Sequence, residues 1–283
     1  MGRIYGIAKR LCHHTNDAMP ARTAARIVSF TSDQPEPSMS VSEAVRIRRV
    51  GTPTPETVRE RHVLGPVCFT WQSGAIRHLS VDGVEVLRGI GAVIRDANWG
   101  THALHTEADE AHSSDGAIAF TYCARVATDG DGSGESPLAL ELQAHIDATE
   151  LDVRLTLTAR EHFVTCRSGL SVLLPLAGVV ESAVAVEHSD GLVEKGHFPR
   201  HISPSQPFFD IRGLSFAPTP ERTVDLHFEG DVFEMEDQRN WSDASFKIYN
   251  RPLALPSPYR IEAGETVTQS VRLRWRDTTG AAQ

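Results

Sequence analysis

The chain has 283 residues, of which 40% are hydrophobic and 23% charged, an ordinary globular composition. That length suits one large domain or two small ones. A formal net charge of −9 argues against nucleic acid or an anionic membrane as the main partner. No apolar run approaches the ~20 residues of a membrane-spanning helix. The longest, Leu170 to Val180, is broken by Pro175 and reads as a buried strand followed by a turn.

Residues 1–44 mix Arg, Ser, Thr and Pro without a sustained period and include SDQPEPSMS. They read as a disordered tail or as an extension from a misplaced start, with Met39 the alternative start. A basic mitochondrial presequence is the competing reading; acidic residues and weak amphipathicity count against it. Four cysteines (Cys12, Cys68, Cys123, Cys166) show neither a CxxC pair nor a zinc spacing. The last three sit in strand-like runs, where a thiol behaves as a small apolar group. With no signal peptide evident, a reducing cytoplasm is the expected location.

From Val45 the chain reads as strands. VCFTWQSG, AIRHLSVDG, VEVLRGIGAVIRD, GAIAFTYCARVAT, LALELQAHIDAT, ELDVRLTLTAREH, SGLSVLLPL, RTVDLHFEGDVFEM, FKIYNRPL and VTQSVRLRW all alternate with period two. Gln72-Ser73-Gly74, Asp82-Gly83, the Asp/Gly loop near 130 and Ala263-Gly264-Glu265 supply the turns. The expectation is an all-β, two-sheet antiparallel sandwich over 45–275, with a flexible tail at 276–283. About ten strands in ~230 residues exceed an immunoglobulin-like domain. They fit the larger galactose-mutarotase-like architecture, which HLSVDGVEVLR (His78 to Arg88) resembles at its opening.

Several clusters are candidates for chemistry. THALHTEADEAH brings His102, His105 and His112 near Glu107, Asp109 and Glu110. A helix would align His105 with Asp109 and His112. No HExxH or HxH pattern is present, so a solvated acidic loop is the default and no metal is expected. TDGDGSGES, Thr128 to Ser136, could offer oxygens to calcium but lacks the EF-hand glutamate, and a hairpin loop is the plainer reading. In GHFPRHISPSQPFFDIRG, Gly196 to Gly213, three prolines force extended loop geometry. His201 and Gln206 then hang among phenylalanines, which suits a sugar; a packed surface loop is the alternative.

The densest mixture follows VDLHFEGDVFEM, which alternates like a strand ending near Met235. If the pairing continues, Glu234 and Glu236 share a face, roughly 6–7 Å apart, a usable distance for acid and base work. Glu234, Glu236, Arg239 and Lys247 are the candidate catalytic residues. Asn240, Trp241, Asp243, Tyr249, His201 and Gln206 are the candidate substrate-binding residues. A salt-bridged rim, with Arg239 and Lys247 neutralising their neighbours, is the competing reading. No GxSxG elbow exists, so a carboxylate-activated water is favoured over a serine nucleophile.

This segment also carries a resemblance. EDQRNWSDASFKIY (Glu236 to Tyr249) is similar to the N-terminal part of the D-apionate lactonase family. DGVEVLRGIGAVIRDANWGT (Asp82 to Thr101), CRSGLSVLLPL (Cys166 to Leu176) and FPRHISPSQPFFDIRGL (Phe198 to Leu214) support it in order and spacing, from about Val45 to Trp275. Ile248 and His102 depart from the family's expected threonine and tyrosine. The resemblance implies a β-sandwich that precedes a TIM barrel, and hydrolysis of D-apionolactone to D-apionate in carbohydrate catabolism, without a cofactor. It implies a sugar lactone as ligand and a barrel, encoded separately, as partner. A non-catalytic carbohydrate-binding module and a mutarotase-like epimerase are the alternatives.

Overall fold

The computed structural model describes residues 59–127 and 136–278, together with 45, 47, 48 and 51. The expectations for residues 1–44, the calcium reading of the loop at 128–135 and the end of the C-terminal tail lie outside the described residues. The strands are β1 (Glu60–Leu64), β2 (Val67–Gln72), β3 (Ala75–Val81), β4 (Val84–Ile94), β5 (Leu104–Ser114) and β6 (Ala117–Val126). There follow β7 (Leu138–Ile146), β8 (Glu150–Ala159), β9 (Phe163–Thr165), β10 (Ser168–Pro175), β11 (Ala183–His188) and β12 (Val193–His197). The last are β13 (Ile211–Thr219), β14 (Arg222–Glu229), β15 (Glu234–Asp237), β16 (Ser245–Tyr249), β17 (Tyr259–Ile261) and β18 (Thr266–Asp277). One 3₁₀ turn, Gln238–Trp241, links β15 to β16.

The strands form a seven-stranded sheet, β1-β2-β3-β4-β10-β16-β15, and a nine-stranded sheet, β12-β11-β13-β14-β18-β8-β7-β6-β5; β17 pairs with β9 separately. All the named pairings are antiparallel. The all-β, two-sheet sandwich is as the alternation implied. In β8, Leu151, Val153, Leu155, Leu157 and Ala159 are buried and their neighbours point outward, as period two requires. Aromatic residues join the layers: Trp71 of β2 stacks on Phe120 of β6 at 4.3 Å, and Phe246 of β16 meets Phe198 at 5.1 Å. Truncating a fully buried core residue such as Leu157 to alanine should cost about 2–5 kcal/mol, read by urea unfolding; a loss below about 1 kcal/mol would contradict this core assignment.

Four local expectations are corrected. Leu104 to Ser114 is neither helix nor loop: it is β5, the edge of the nine-stranded sheet, ten of its residues pairing with β6. An edge strand with little cover tolerates polar side chains on both faces, which hides its period. Its His112 pairs with Glu110, and Asp109 accepts a hydrogen bond from Trp71. Second, Arg222 to Met235 is not one strand. The chain leaves the nine-stranded sheet after Glu229, turns at Gly230 (φ +101°), and enters the other sheet at Glu234. That strand runs on to Asp237 rather than ending near Met235. Third, the stretch Gly196 to Gly213 is not all loop: β12 runs to His197 and β13 begins at Ile211. Fourth, Cys166 lies between β9 and β10 rather than inside a strand.

Candidate functional site

The site grows out of the β15–β16 hairpin. Its register pairs Glu234 with Tyr249, Met235 with Ile248, Glu236 with Lys247 and Asp237 with Phe246. Met235, Ile248 and Phe246 are fully buried in the core. Alternation therefore turns Glu234, Glu236, Lys247 and Tyr249 to the outer face. Pairing across β10 and β4 extends two rows on that face: Gly89, Leu173, Lys247, Glu236, and Gly91, Ser171, Tyr249, Glu234. The glycines matter here. A Cβ on Gly91 would lie 3.0 Å from the Ala75 Cβ, and one on Gly89 3.3 Å from Arg77 Nη1. The β4 end of both rows stays low and the charged groups rise at the β16 end.

Glu236 is held on both oxygens. Lys247 Nζ lies 2.7 Å from Oε2, and Trp241 Nε1 donates to Oε1 at 2.8 Å. Burial pushes its carboxyl upward, but the bonds from Lys247 and Trp241 and the charges of Lys247 and Arg167 outweigh that, leaving it below the usual carboxylate range. Burial lowers Lys247 more than Glu236 raises it, and the nearby Arg167 and Arg95 add to the lowering. Arg167 is 8% exposed, with its guanidinium 3.7 Å from the Tyr249 ring centroid and 5.2 Å from that of Trp99.

Glu234 lies deeper, 1% exposed, and accepts from the Tyr249 hydroxyl and from the Leu253 N–H at 2.7 Å. Burial first, and then the Glu234 bond, push the Tyr249 phenol up, so it remains a donor. Replacing Tyr249 with phenylalanine should cost about 1.5–3 kcal/mol in urea unfolding, because a buried carboxylate loses a donor. A change under 0.5 kcal/mol would show that the bond adds nothing.

Arg239 is committed elsewhere. It forms a two-pronged pair with Asp237 (2.9 and 2.7 Å) and donates to the carbonyls of Pro199, Arg200 and His201. Asp237 also accepts from Ser203 N. The Pro-rich loop after β12 is thereby stapled to the end of β15, with the exposed His201 giving only its carbonyl to the staple. Asn240 donates to the carbonyls of Ser203 and Asp237. Asp243 accepts from Ser245 Oγ at 3.3 Å.

Two cavities flank the Glu236–Lys247 pair. One, of about 200 Å³, has Arg95, Arg167, Gln238, Asp243, Lys247 and Asn250 among its lining residues. The other, of about 300 Å³, is lined by Pro204, Ser205, Gln206, Glu236, Asn240 and Trp241. Of the ten candidates, Glu236, Lys247, Asn240, Trp241, Asp243, Tyr249 and Gln206 border these cavities, while Glu234 lies beneath, and Arg239 and His201 belong to the staple. Residue reasoning missed Arg95, Trp99, Arg167, Gln238 and Asn250. A signal existed: the four family-like segments each bring residues to this one place. Trp99 comes from the first, Arg167 from the second, Gln206 from the third and Glu236 from the fourth.

Comparison with known proteins bears on the kinship and the fold of the chain. A D-apionate lactonase from Brucella anthropi is 39% identical over 218 residues, which is 77% of this chain and 35% of that protein. The chain thus spans about a third of the length of that relative. Among solved structures, a galactose mutarotase-like protein from Lactobacillus casei superposes with a TM-score of 0.50 at 10% identity, covering 77% of this chain and all of that one. At such low identity this likeness speaks for the fold alone, a galactose-mutarotase-like sandwich. The family model described as "D-apionate lactonase, N-terminal domain" matches residues 47–278, the whole of the sandwich and both cavities, and the chain belongs to that family.

Proposed function

We propose that the outer face of the seven-stranded sheet binds a sugar-acid lactone of the D-apionolactone kind and takes part in opening it to the acid. The observation that carries this is Glu236, an ionised carboxylate between Lys247 and Trp241, beside a cavity lined by Arg167 and Lys247. A water positioned by Glu236 would attack the lactone carbonyl and give its proton to the carboxylate. Arg167 and Lys247 would oppose the charge developing on the carbonyl oxygen. Collapse would break the ring C–O bond, and Lys247, with its pKa lowered by burial, would protonate the leaving alkoxide. Arg239 we assign to positioning, because its donors already have acceptors.

Support for the substrate class comes from the relative's name and for a further domain from its greater length. We propose a TIM-barrel domain as the partner that closes the open face, where Trp241 is 71% exposed and Trp99 and Leu253 are also exposed. Residues 45–275 we take as the folding unit, with 1–44 dispensable; the expected C-terminal boundary moves outward, because β18 pairs with β14 as far as Asp277, which also meets Arg222 at 2.9 Å. No cofactor or metal is invoked. A cytoplasmic location is in keeping with Cys68, Cys123 and Cys166 forming no disulfide. Among the described residues, no helix is long and apolar enough to cross a membrane.

A non-catalytic carbohydrate-binding role is the second reading, favoured by one fact: a carboxylate with both oxygens occupied and a depressed pKa is a weak base. An epimerase is less well supported, because no histidine lines either cavity. The deciding assay follows proton release from aldonolactones, with the chain alone and with a barrel partner. Turnover in either mixture supports the hydrolase. Binding without turnover in both supports the second reading.

A further inference from the structure

The 200 Å³ cavity contains hydrogen-bond donors that lack acceptors. Arg167 Nε, Gln238 Nε2 and Asn250 Nδ2 are buried, line it or belong to residues that do, and have no partner. Buried donors are almost always satisfied, and leaving one unmade costs about 1–3 kcal/mol. Three around one cavity form a pattern.

The orientation of Asn250 follows from a chain of bonds. Leu170 N–H donates to Gln269 Oε1 at 2.8 Å, which fixes that amide. Gln269 Nε2 must then donate to Asn250 Oδ1, at 2.6 Å. Asn250 is left with its NH₂ unused, and it is 2% exposed. Arg167 is constrained too. Its guanidinium packs over the Tyr249 and Trp99 rings, so further bonds must leave from its edge, in its plane. Arg95, Arg167 and Lys247 bring three cations to the lining, where Asp243 is the one acid; Lys247 is paired with Glu236 beside it, which leaves Arg95 and Arg167 against Asp243. Arg95 has already given Nη1 to Trp99 O and Thr101 Oγ1.

We propose that this cavity is a carboxylate subsite that takes the acid end of a small sugar acid. A carboxylate is acceptor-only, anionic and planar, and so matches the unused donors, the charge and the in-plane edge of Arg167. Water would satisfy acceptors and donors alike but would bring no charge to set against Arg95 and Arg167, Lys247 being paired already with Glu236. The polyol tail would cross the Glu236–Lys247 pair into the 300 Å³ cavity, where Gln206, Asn240 and the Trp241 ring lie. The proposal deepens the lactone reading and rests on it for the ligand's skeleton, since the acid is what lactone opening yields.

Calorimetric titration of the full chain with a four-carbon aldonate, the matching neutral tetritol and inorganic phosphate tests it. The aldonate should bind at least about tenfold tighter than either, the worth of one good charge-assisted contact. Two variants sharpen the result. Arg167→Met should weaken aldonate binding at least tenfold. Gln238→Glu places a carboxylate among the same donors; it should weaken binding at least tenfold while the unliganded melting temperature stays level or rises. If Arg167→Met does not fold, Gln238→Glu decides alone. Equal binding of the tetritol, equal binding of phosphate, or unchanged aldonate affinity in Gln238→Glu would each overturn the subsite. Absence of lactone turnover with aldonate binding intact would sink the hydrolase reading and leave the subsite standing.

Discussion

Replacing Glu236 with glutamine is expected to lower kcat for lactone opening by about 10²–10⁴-fold, the usual worth of a positioned general base. The fold should barely respond. The amide keeps the shape and can still accept from Trp241 Nε1, while the pair with Lys247 Nζ at 2.7 Å is lost. Both side chains are about one-fifth exposed, so that loss is worth about 1 kcal/mol, or roughly 2–4 °C in Tm. The pH profile carries the sign. Glu236 sits below the ordinary carboxylate range, so activity that depends on its ionised form should hold at neutral pH and fall only in solutions more acidic than those that titrate an ordinary carboxylate. Kinetics and melting measured on this one variant decide the matter. A normal rate with lowered stability would make Glu236 a rim residue. Loss of both would mean that the hairpin is needed for folding, and the catalytic assignment would be dropped.

Much of this was legible in the residues, and the reasons for success and failure are physical. β7 and β8 alternate cleanly because one face packs on the other sheet and one meets water. That pattern is what a period of two detects. β5 escaped because an edge strand can be polar on both sides, and β12 (VEKGH), the opposite edge, escaped for the same reason. The shared face of Glu234 and Glu236 was readable, since alternation does not depend on which sheet the strand joins. The sheet change at Gly230 went unread, although the apolar positions slip there from even numbers (Val224, Leu226, Phe228) to odd ones (Phe233, Met235). Arg239 was misleading for a different cause. It looks like a free cation among acids, yet Asp237 two residues earlier and the carbonyls of Pro199, Arg200 and His201 occupy its donors. Proline removes a backbone donor but keeps its carbonyl, so a Pro-rich loop offers acceptors to any nearby guanidinium. Arg167 gave no local signal because it stands alone before the apolar strand β10, and only its family-like segment pointed to it.

That staple sets up the largest effect expected on stability. Asp237 is 0% exposed and accepts four bonds, from Arg239 N, Nε and Nη2 and from Ser203 N. Alanine at this position would remove all four and leave a largely buried guanidinium with only carbonyl partners. Breaking a buried pair from one side costs about 3–5 kcal/mol, which corresponds to roughly 6–20 °C in Tm for a domain of this size. Arg239→Lys should recover little of the staple, because an ammonium cannot reach Asp237 and three carbonyls with one planar fork. Acid adds an independent check. Burial raises the Asp237 carboxyl, but the bonds from Arg239 and Ser203 and the Arg239 charge bring it below its usual value. Such a group contributes stability above its unfolded pKa of ~3.9, and that contribution is lost as pH falls through the lower folded value. The gap between wild type and Asp237→Asn should therefore be wide at pH 7 and narrow toward pH 3, read by urea unfolding at both. A gap that stays constant, or an alanine variant within 1 kcal/mol of wild type, would remove Asp237 as the anchor of the loop. The consequence for the site would follow directly. The loop carries Gln206 into the cavity beside Glu236, so a loosened staple should weaken ligand binding even at temperatures where the sandwich remains folded.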